Sequence, residues 1–325
     1  MTDPFLFLVG YQRSGTTLLR AMFDSHPSMA VPDESHFIPS MALRRRRYEH
    51  RGTFRTEDFL RDLLERHRRR SWWVPQEDVR RDLAATPPRD VAEAFRRVYR
   101  CYAASRGKLR YGDKTPSYVL NIGLLARLFP ESRFVHIIRD GRDVALSILE
   151  RPFGPDTIEE AAFRWRQAMH RGRAEGSRLG ERRYRELRYE DLVDDQERAL
   201  RSLCAFADLP FDSAMTRYYE NEALISERSW FRPISLPPTK GLRDWRRDMA
   251  PRDLAVFESL AGGTLEDLGY ERSGYRSRPM TVMQAWAKWS AVQAHRPLRR
   301  IRRLAAARSG SSVAPGNDAG RIQAP

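Results

Sequence analysis

Four residues in one short turn carry the first recognisable chemistry of this 325-residue chain: Arg13, Ser14, Thr16 and Thr17, set around Gly10 and Gly15. Hydroxyls, a guanidinium and two glycines at that spacing are the materials of a phosphate cradle. Backbone N–H groups in a glycine-bounded turn can close on anionic oxygens at a helix N-terminus. Thr16 occupies the position where a loop built for nucleoside triphosphates carries the lysine that reaches the β- and γ-phosphates. With Arg13 at the mouth instead, the turn suits one 5′-phosphate group better than a magnesium triphosphate.

Three further positions invite chemistry. Glu34 follows a short apolar stretch, residues 29–31, at the strand end where open α/β sheets hold their ligands. There it could take a proton from an acceptor hydroxyl; a solvated loop carboxylate is the plainer alternative. Arg139 ends an apolar run over residues 134–138 and Ser147 lies about two helical turns on, so both could face one anion. Lys114 stands in Asp113-Lys114-Thr115-Pro116, in a chain that uses lysine only four times among 58 basic residues.

The elements that must position these groups follow from periodicity. Residues 5–9 are wholly apolar, the pattern of a parallel strand covered on both faces. A helix from about Gly15 buries Leu18, Leu19, Met22 and Phe23, and His26-Pro27 ends it. Residues 133–138 repeat the strand, with a helix over 144–149. Thr115-Pro116 opens a helix over 119–128, with proline in the first turn. A strand over 184–189 leads into a helix ending near Phe206, and 252–270 form the last helix. In the arginine-rich stretch 40–107, Leu60, Leu63 and Leu64, then Val91, Phe95 and Val98, recur at helical spacing. This is read as a helical insert over the acceptor side. Its basic face, with Trp72 and Trp73, suits an anionic or glycan acceptor; a solvated helix face accounts for the charge equally well. The expected fold is a P-loop-type three-layer α/β domain over residues 1–275, its central parallel sheet flanked by helices, followed by a basic tail over 276–325.

The segment RSGTTLL directly after a strand resembles the 5′-phosphosulfate loop of sulfotransferases that use 3′-phosphoadenosine-5′-phosphosulfate (PAPS). The resemblance continues through RFVHIIRDGRDVALSIL and RYEDL. It implies that Arg13, Ser14, Gly15, Thr16 and Thr17 hold the 5′-phosphosulfate and that Lys114 reaches the sulfonate or the bridging oxygen. It implies further that Arg139 and Ser147 hold the 3′-phosphate and that Tyr189 packs near the adenosine, although a core aromatic is an equal reading of Tyr189. Residues 237–246 are similar to the basic loop that closes over the nucleotide, which makes Lys240 a 3′-phosphate contact. The longer run RSGTTLLRAMFDSHPSMAVPDESHFIP is most similar to protein-tyrosine sulfotransferases. In that family an acidic residue at the position of Glu34 is the catalytic base, and a further arginine of the site matches Arg151. An arginine binding acidic peptide stands where this chain has His36, which is also the second candidate base. The matching segments span about residues 5–271, with 40–107 unmatched.

Composition bounds the rest. The net charge is +15, yet the residues from Arg276 onward hold ten basic and one acidic residue, so +9 of it lies in the tail. Tryptophan and cations in that tail suit contact with an anionic membrane surface; a disordered tail accounts for them as well. Nucleic acid is not expected as a partner, and no carboxylate cluster suits magnesium, so no metal is expected. Cys101 and Cys204 lack the spacing of a zinc site or disulfide framework. No apolar run approaches the length of a membrane span, no signal-peptide pattern is seen, and a cytoplasmic location is expected. The expected activity is sulfonate transfer from PAPS to an acceptor hydroxyl of a carbohydrate, lipid or small metabolite, with protein tyrosine as the alternative acceptor. A kinase of the P-loop type and a basic nucleic-acid-binding protein are the alternatives of other classes.

Overall fold

The computed structural model describes residues 4–50, 52–67, 75–221, 236–237, 243–287 and 289–290. Strand β1 (Leu6–Gly10) is buried along its whole length. Helix α1 (Thr16–Asp24) follows, then β2 (Met29–Ala30) and α2 (Ile38–Ala42). A small hairpin, β3 (Glu49–His50) and β4 (Thr53–Phe54), precedes helices α3 (Thr56–His67), α4 (Gln76–Ala85) and α5 (Val91–Ser105). Next come β5 (Arg110–Lys114), a 3-10 turn over Pro116–Asn121, and α6 (Ile122–Leu128). Strand β6 (Arg133–Ile138), α7 (Gly141–Leu149), α8 (Ile158–Gly176), β7 (Tyr184–Arg188), α9 (Tyr189–Asp194) and α10 (Gln196–Phe206) complete the alternation. Helices Trp245–Asp248 and Pro251–Asp267 follow.

The main sheet has the order β2-β5-β1-β6-β7, and every pair in it is parallel. Such a sheet is covered on both faces, which is why its central strands are continuously apolar rather than alternating. Side chains still divide by parity. Leu6 and Leu8 of β1, with Val135 and Ile137 of β6, pack against Leu19, Met22 and Phe23 of α1 and Leu200 and Leu203 of α10. Phe5 and Phe7 point the other way, where Phe7 stacks on Phe134 at 5.2 Å and Phe5 meets Tyr99 edge-on at 4.8 Å. The result is the three-layer α/β architecture expected.

Two differences from the sequence reading have physical causes. Residues 110–114 form a strand, beside β1, although RYGDK lacks an apolar run. Its inner members Asp113 and Lys114 are buried because each has a polar partner: Tyr99 Oη donates to Asp113 at 2.5 Å, and Lys114 pairs with Glu34. The helical insert read over 40–107 also contains the β3–β4 hairpin, whose partners sit too close in sequence to show a period. Helix α5 does carry Val91, Phe95 and Val98, and it is capped by Asp90, whose side chain accepts from Glu93 N.

The chain divides into two units, Met1–Tyr275 and Arg276–Pro325. In the second, residues 279–287 are helical. Among the described residues no helix is long and apolar enough to cross a membrane.

Candidate active site

Parallel strands end together, so the loops after β1, β2, β5, β6 and β7 share one edge of the sheet. The turn after β1 is the hub. Gly15 caps α1 with φ 95°, and a Cβ there would stand 2.4 Å from Cδ2 of Tyr189. Glycine is required on both counts. Arg13 also takes a left-handed conformation, φ 71°, which turns its side chain across the loop. The Ser14 hydroxyl is fully buried and has no hydrogen-bond partner among the described residues, while Thr16 is buried at the first turn of the helix. An orphaned buried hydroxyl beside helix N–H groups is what an anion-binding turn presents before its ligand arrives.

A cationic group gathers at the loop mouth. Arg13 Nε donates to Ser147 Oγ at 2.9 Å, and Arg139 Nη1 donates to the Arg13 carbonyl at 3.4 Å. The Arg139 guanidinium lies 4.5 Å over the Tyr189 ring and 3.7 Å from Asp143, and its buried Nε has no hydrogen-bond partner among the described residues. Burial pushes the Arg13 guanidinium down from its ordinary value, and the positive charges of Arg151, Arg139 and Arg243 push it further, with Glu150 opposing. Mutual repulsion among cations held this close is relieved by a bound anion. Arg151 lies beyond the end of α7, in the turn that follows, where its N–H donates to the Ile148 carbonyl.

The second cluster adjoins the first through the sheet. Lys114 is paired in register with Leu8 of β1, two residues before the turn. Its Nζ donates to Glu34 Oε1 at 3.0 Å, and His36 Nε2 lies 2.7 Å from Glu34 Oε2. Burial works to raise the Glu34 carboxyl, yet its bonds to His36 and Lys114 prevail and hold it at about 2. Burial lowers the Lys114 ammonium, with Glu34 acting in the opposite direction. The loop carrying Glu34 is fixed from both sides. Arg20 Nε donates to the Val31 carbonyl at 2.8 Å; Ser35 N donates to Thr115 Oγ1 at 3.0 Å, and Ser35 Oγ lies 2.8 Å from Tyr118 Oη.

The structure thus brings Arg13, Ser14, Gly15, Thr16, Arg139, Ser147 and Tyr189 to one mouth and Glu34, His36 and Lys114 to the adjoining strand end. Thr17 follows as the second residue of α1. Lys240, with Gly241, Trp72 and Trp73, lies outside the described residues.

Several groups at the site were not read from sequence. Arg142 is fully buried, with Asp140 at 2.7 Å, Glu258 at 2.6 Å and the Trp245 ring 3.5 Å from its guanidinium carbon. Asp143 Oδ1 accepts from Trp245 N at 2.9 Å, so α7 holds the segment that begins at Arg243. Glu190 ties the β7 turn to the β6 turn, accepting from Asp140 N at 3.1 Å and Tyr270 Oη at 2.9 Å. Arg243, bonded to Glu150 at 2.5 Å, adds its charge to the Arg13 group. The one sequence signal for it was its place in the basic segment 237–246.

Comparison with known proteins matches residues 4–213 to the model described as "Sulfotransferase family". Over 287 residues the chain is 25% identical to protein-tyrosine sulfotransferase A of Caenorhabditis elegans, covering 83% of this chain and 68% of that protein. It is 25% identical over 224 residues to protein-tyrosine sulfotransferase 2 of Gallus gallus, covering 67% of this chain and 54% of that protein. The sulfotransferase domain of the Synechococcus PCC 7002 olefin synthase is similar in fold, with a TM-score of 0.59 at 24% identity, covering 83% of this chain and 95% of that one.

Proposed function

This chain belongs to the sulfotransferase family and moves a sulfonate from PAPS to an acceptor hydroxyl, and we propose that Glu34 is the base and Lys114 the cation at the transferred group. The observation that carries this assignment is the Lys114–Glu34 contact of 3.0 Å, on the strand next to the phosphate loop. In this reading the acceptor oxygen forms a bond to sulfur as the bond from sulfur to the 5′-phosphate oxygen breaks. The hydroxyl proton passes to Glu34, and 3′,5′-adenosine bisphosphate leaves.

Each assigned residue has a physical reason. Lys114, drawn toward the anionic donor, loosens its hold on Glu34 and so raises the basicity of the carboxylate when the acceptor is in place. Arg13 and the loop N–H groups stabilise charge developing on the leaving phosphate. Arg139, Ser147 and Arg151 are assigned to the 3′-phosphate, supported by an Arg139 Nε without a partner among the described residues and by the crowding of cations there. Tyr189 supports the loop from beneath, against Gly15. His36 is assigned to orient Glu34, since its Nε2 is committed to the carboxylate. Lys240 is kept as a 3′-phosphate contact from the sequence resemblance alone.

For the acceptor we take a hydroxyl of a carbohydrate, lipid or small metabolite. A tyrosine in a polypeptide is the second reading, supported by the names of the relatives in worms and birds. His36 turned onto Glu34 favours the first, because no arginine stands at that position to meet an acidic peptide. Sulfonate transfer from labelled PAPS to a panel of glycans, phenols and tyrosine peptides decides between them; transfer to peptides alone overturns our choice. A cytoplasmic location, supported by two free thiols, and membrane contact through the basic tail complete the proposal. Fractionation of the expressed protein and co-sedimentation with phosphatidylserine vesicles test them, and recovery outside the cytoplasm or failure to sediment overturns each.

A further inference from the structure

A second basic cavity opens far from the loop. Helix α6, the end of α8 and the turn before β7 enclose a space of about 370 Å³ lined by Arg127, Arg171, Glu175, Arg178 and Arg183. Arg183 immediately precedes β7, so the cavity lies at the N-terminal ends of the parallel strands. A five-residue strand separates the two edges by roughly 17 Å.

The charges in this cavity do not balance. Glu175 is its one carboxylate, and it is already committed: Oε2 accepts from Gly123 N at 2.8 Å and Oε1 from Arg171 Nε at 3.2 Å. Arg183 donates only to neutral oxygens, the Ser132 carbonyl at 3.0 Å, the Phe129 and Ala126 carbonyls and the Ser132 hydroxyl. Burial pushes its guanidinium down from the ordinary value, with the charge of Glu131 opposing. Arg127 and Arg178 have no hydrogen-bond or ion-pair partner among the described residues, and both are solvent-accessible. Four arginines therefore line one concave site, of which Arg171 is paired with Glu175 and Arg183 feels the charge of Glu131, so that Arg127 and Arg178 are the two left over. A planar guanidinium fork offers paired donors matched to phosphate or sulfate oxygens.

We propose that this cavity binds a small anion carrying phosphate or sulfate groups, with Arg127 and Arg178 as its principal contacts. The inference does not depend on the donor-site reading. Two sources share this chemistry, a nucleotide bisphosphate such as the reaction releases and a free inorganic anion.

Calorimetric titration of the full chain with pyrophosphate and with 3′,5′-adenosine bisphosphate, for wild type and the double variant Arg127→Gln/Arg178→Gln, tests it. Loss of two charge-assisted contacts should weaken pyrophosphate binding about tenfold or more. If a nucleotide occupies the cavity, the bisphosphate stoichiometry is lower by one in the glutamine variant, whatever else the chain binds; if an inorganic anion does, that stoichiometry is the same in both proteins. The variant Arg127→Lys/Arg178→Lys, which keeps charge and loses the fork, should bind pyrophosphate with intermediate affinity and serves if the glutamine pair does not fold. Pyrophosphate affinity unchanged in both variants, or no pyrophosphate binding to wild type, overturns the proposal.

Discussion

Lys114 Nζ lies 3.0 Å from Glu34 Oε1, joining the last residue of β5 to the loop after β2 across 80 positions of sequence. The pair keeps the proposed base ionised and restrained until another anion competes for the lysine. Glu34→Gln should therefore lower kcat by about 10²- to 10⁴-fold while leaving the affinity for PAPS close to that of wild type. Steady-state kinetics with separately varied donor and acceptor check the split.

The same contact has a pH signature. Glu34 is depressed from 4.5 to about 2, so its contribution to stability is present above pH 4.5 and is lost as pH falls through about 2. Urea unfolding followed between these limits should show that loss in wild type and a shallower one in Glu34→Gln. Above pH 5, kcat/KM should show no limb that disappears with Glu34.

Asp143 behaves in the opposite sense. Burial raises its carboxyl to about 6, against the pull of Arg139. An anion arriving at Arg139 weakens that pull and raises the carboxyl further, so bisphosphate binding near pH 6 should take up a proton. Calorimetry in buffers of differing ionisation enthalpy measures the net exchange, to which the ligand's own phosphates contribute near pH 6, and the difference between wild type and Asp143→Asn gives the uptake at this carboxyl.

Arg142 is a structural prediction. Its guanidinium sits between Asp140 and Glu258 with all three groups buried. Arg142→Met takes the shared cation from two buried carboxylates, of which Glu258 keeps its bonds from Ser273 N and Oγ, and should destabilise the fold by about 3–5 kcal/mol. Thermal unfolding reads this directly, and adding Glu258→Gln should restore part of the loss.

At Gly15 both backbone and space are specified. Gly15→Ala should cost about 1–3 kcal/mol from its left-handed φ alone, with more from the approach of Tyr189. The double variant with Tyr189→Ala separates the two causes: it removes the collision and leaves the backbone strain.

What the sequence made legible was local chemistry. The glycines, the hydroxyls and Arg13 lie within eight consecutive residues, and β1 and β6 announce themselves as apolar runs. Glu34 and Lys114 could each be picked out, but their contact depends on β5 pairing beside β1, and RYGDK gives no apolar signal for a strand. Arg142 reads as a surface charge because its burial is stabilised by Glu258, 116 positions away. The bond from Arg13 to Ser147 spans 134 positions and was equally invisible. Polar groups buried by distant partners leave no periodicity to read.

The most direct measurement is calorimetric titration with 3′,5′-adenosine bisphosphate, 5′-AMP and Mg-ATP, for wild type and Arg139→Ala. The account predicts that the bisphosphate binds far more tightly than 5′-AMP, without any need for magnesium, and that Arg139→Ala removes the difference. Equal binding of 5′-AMP and the bisphosphate, or preference for Mg-ATP unaffected by Arg139→Ala, would contradict it.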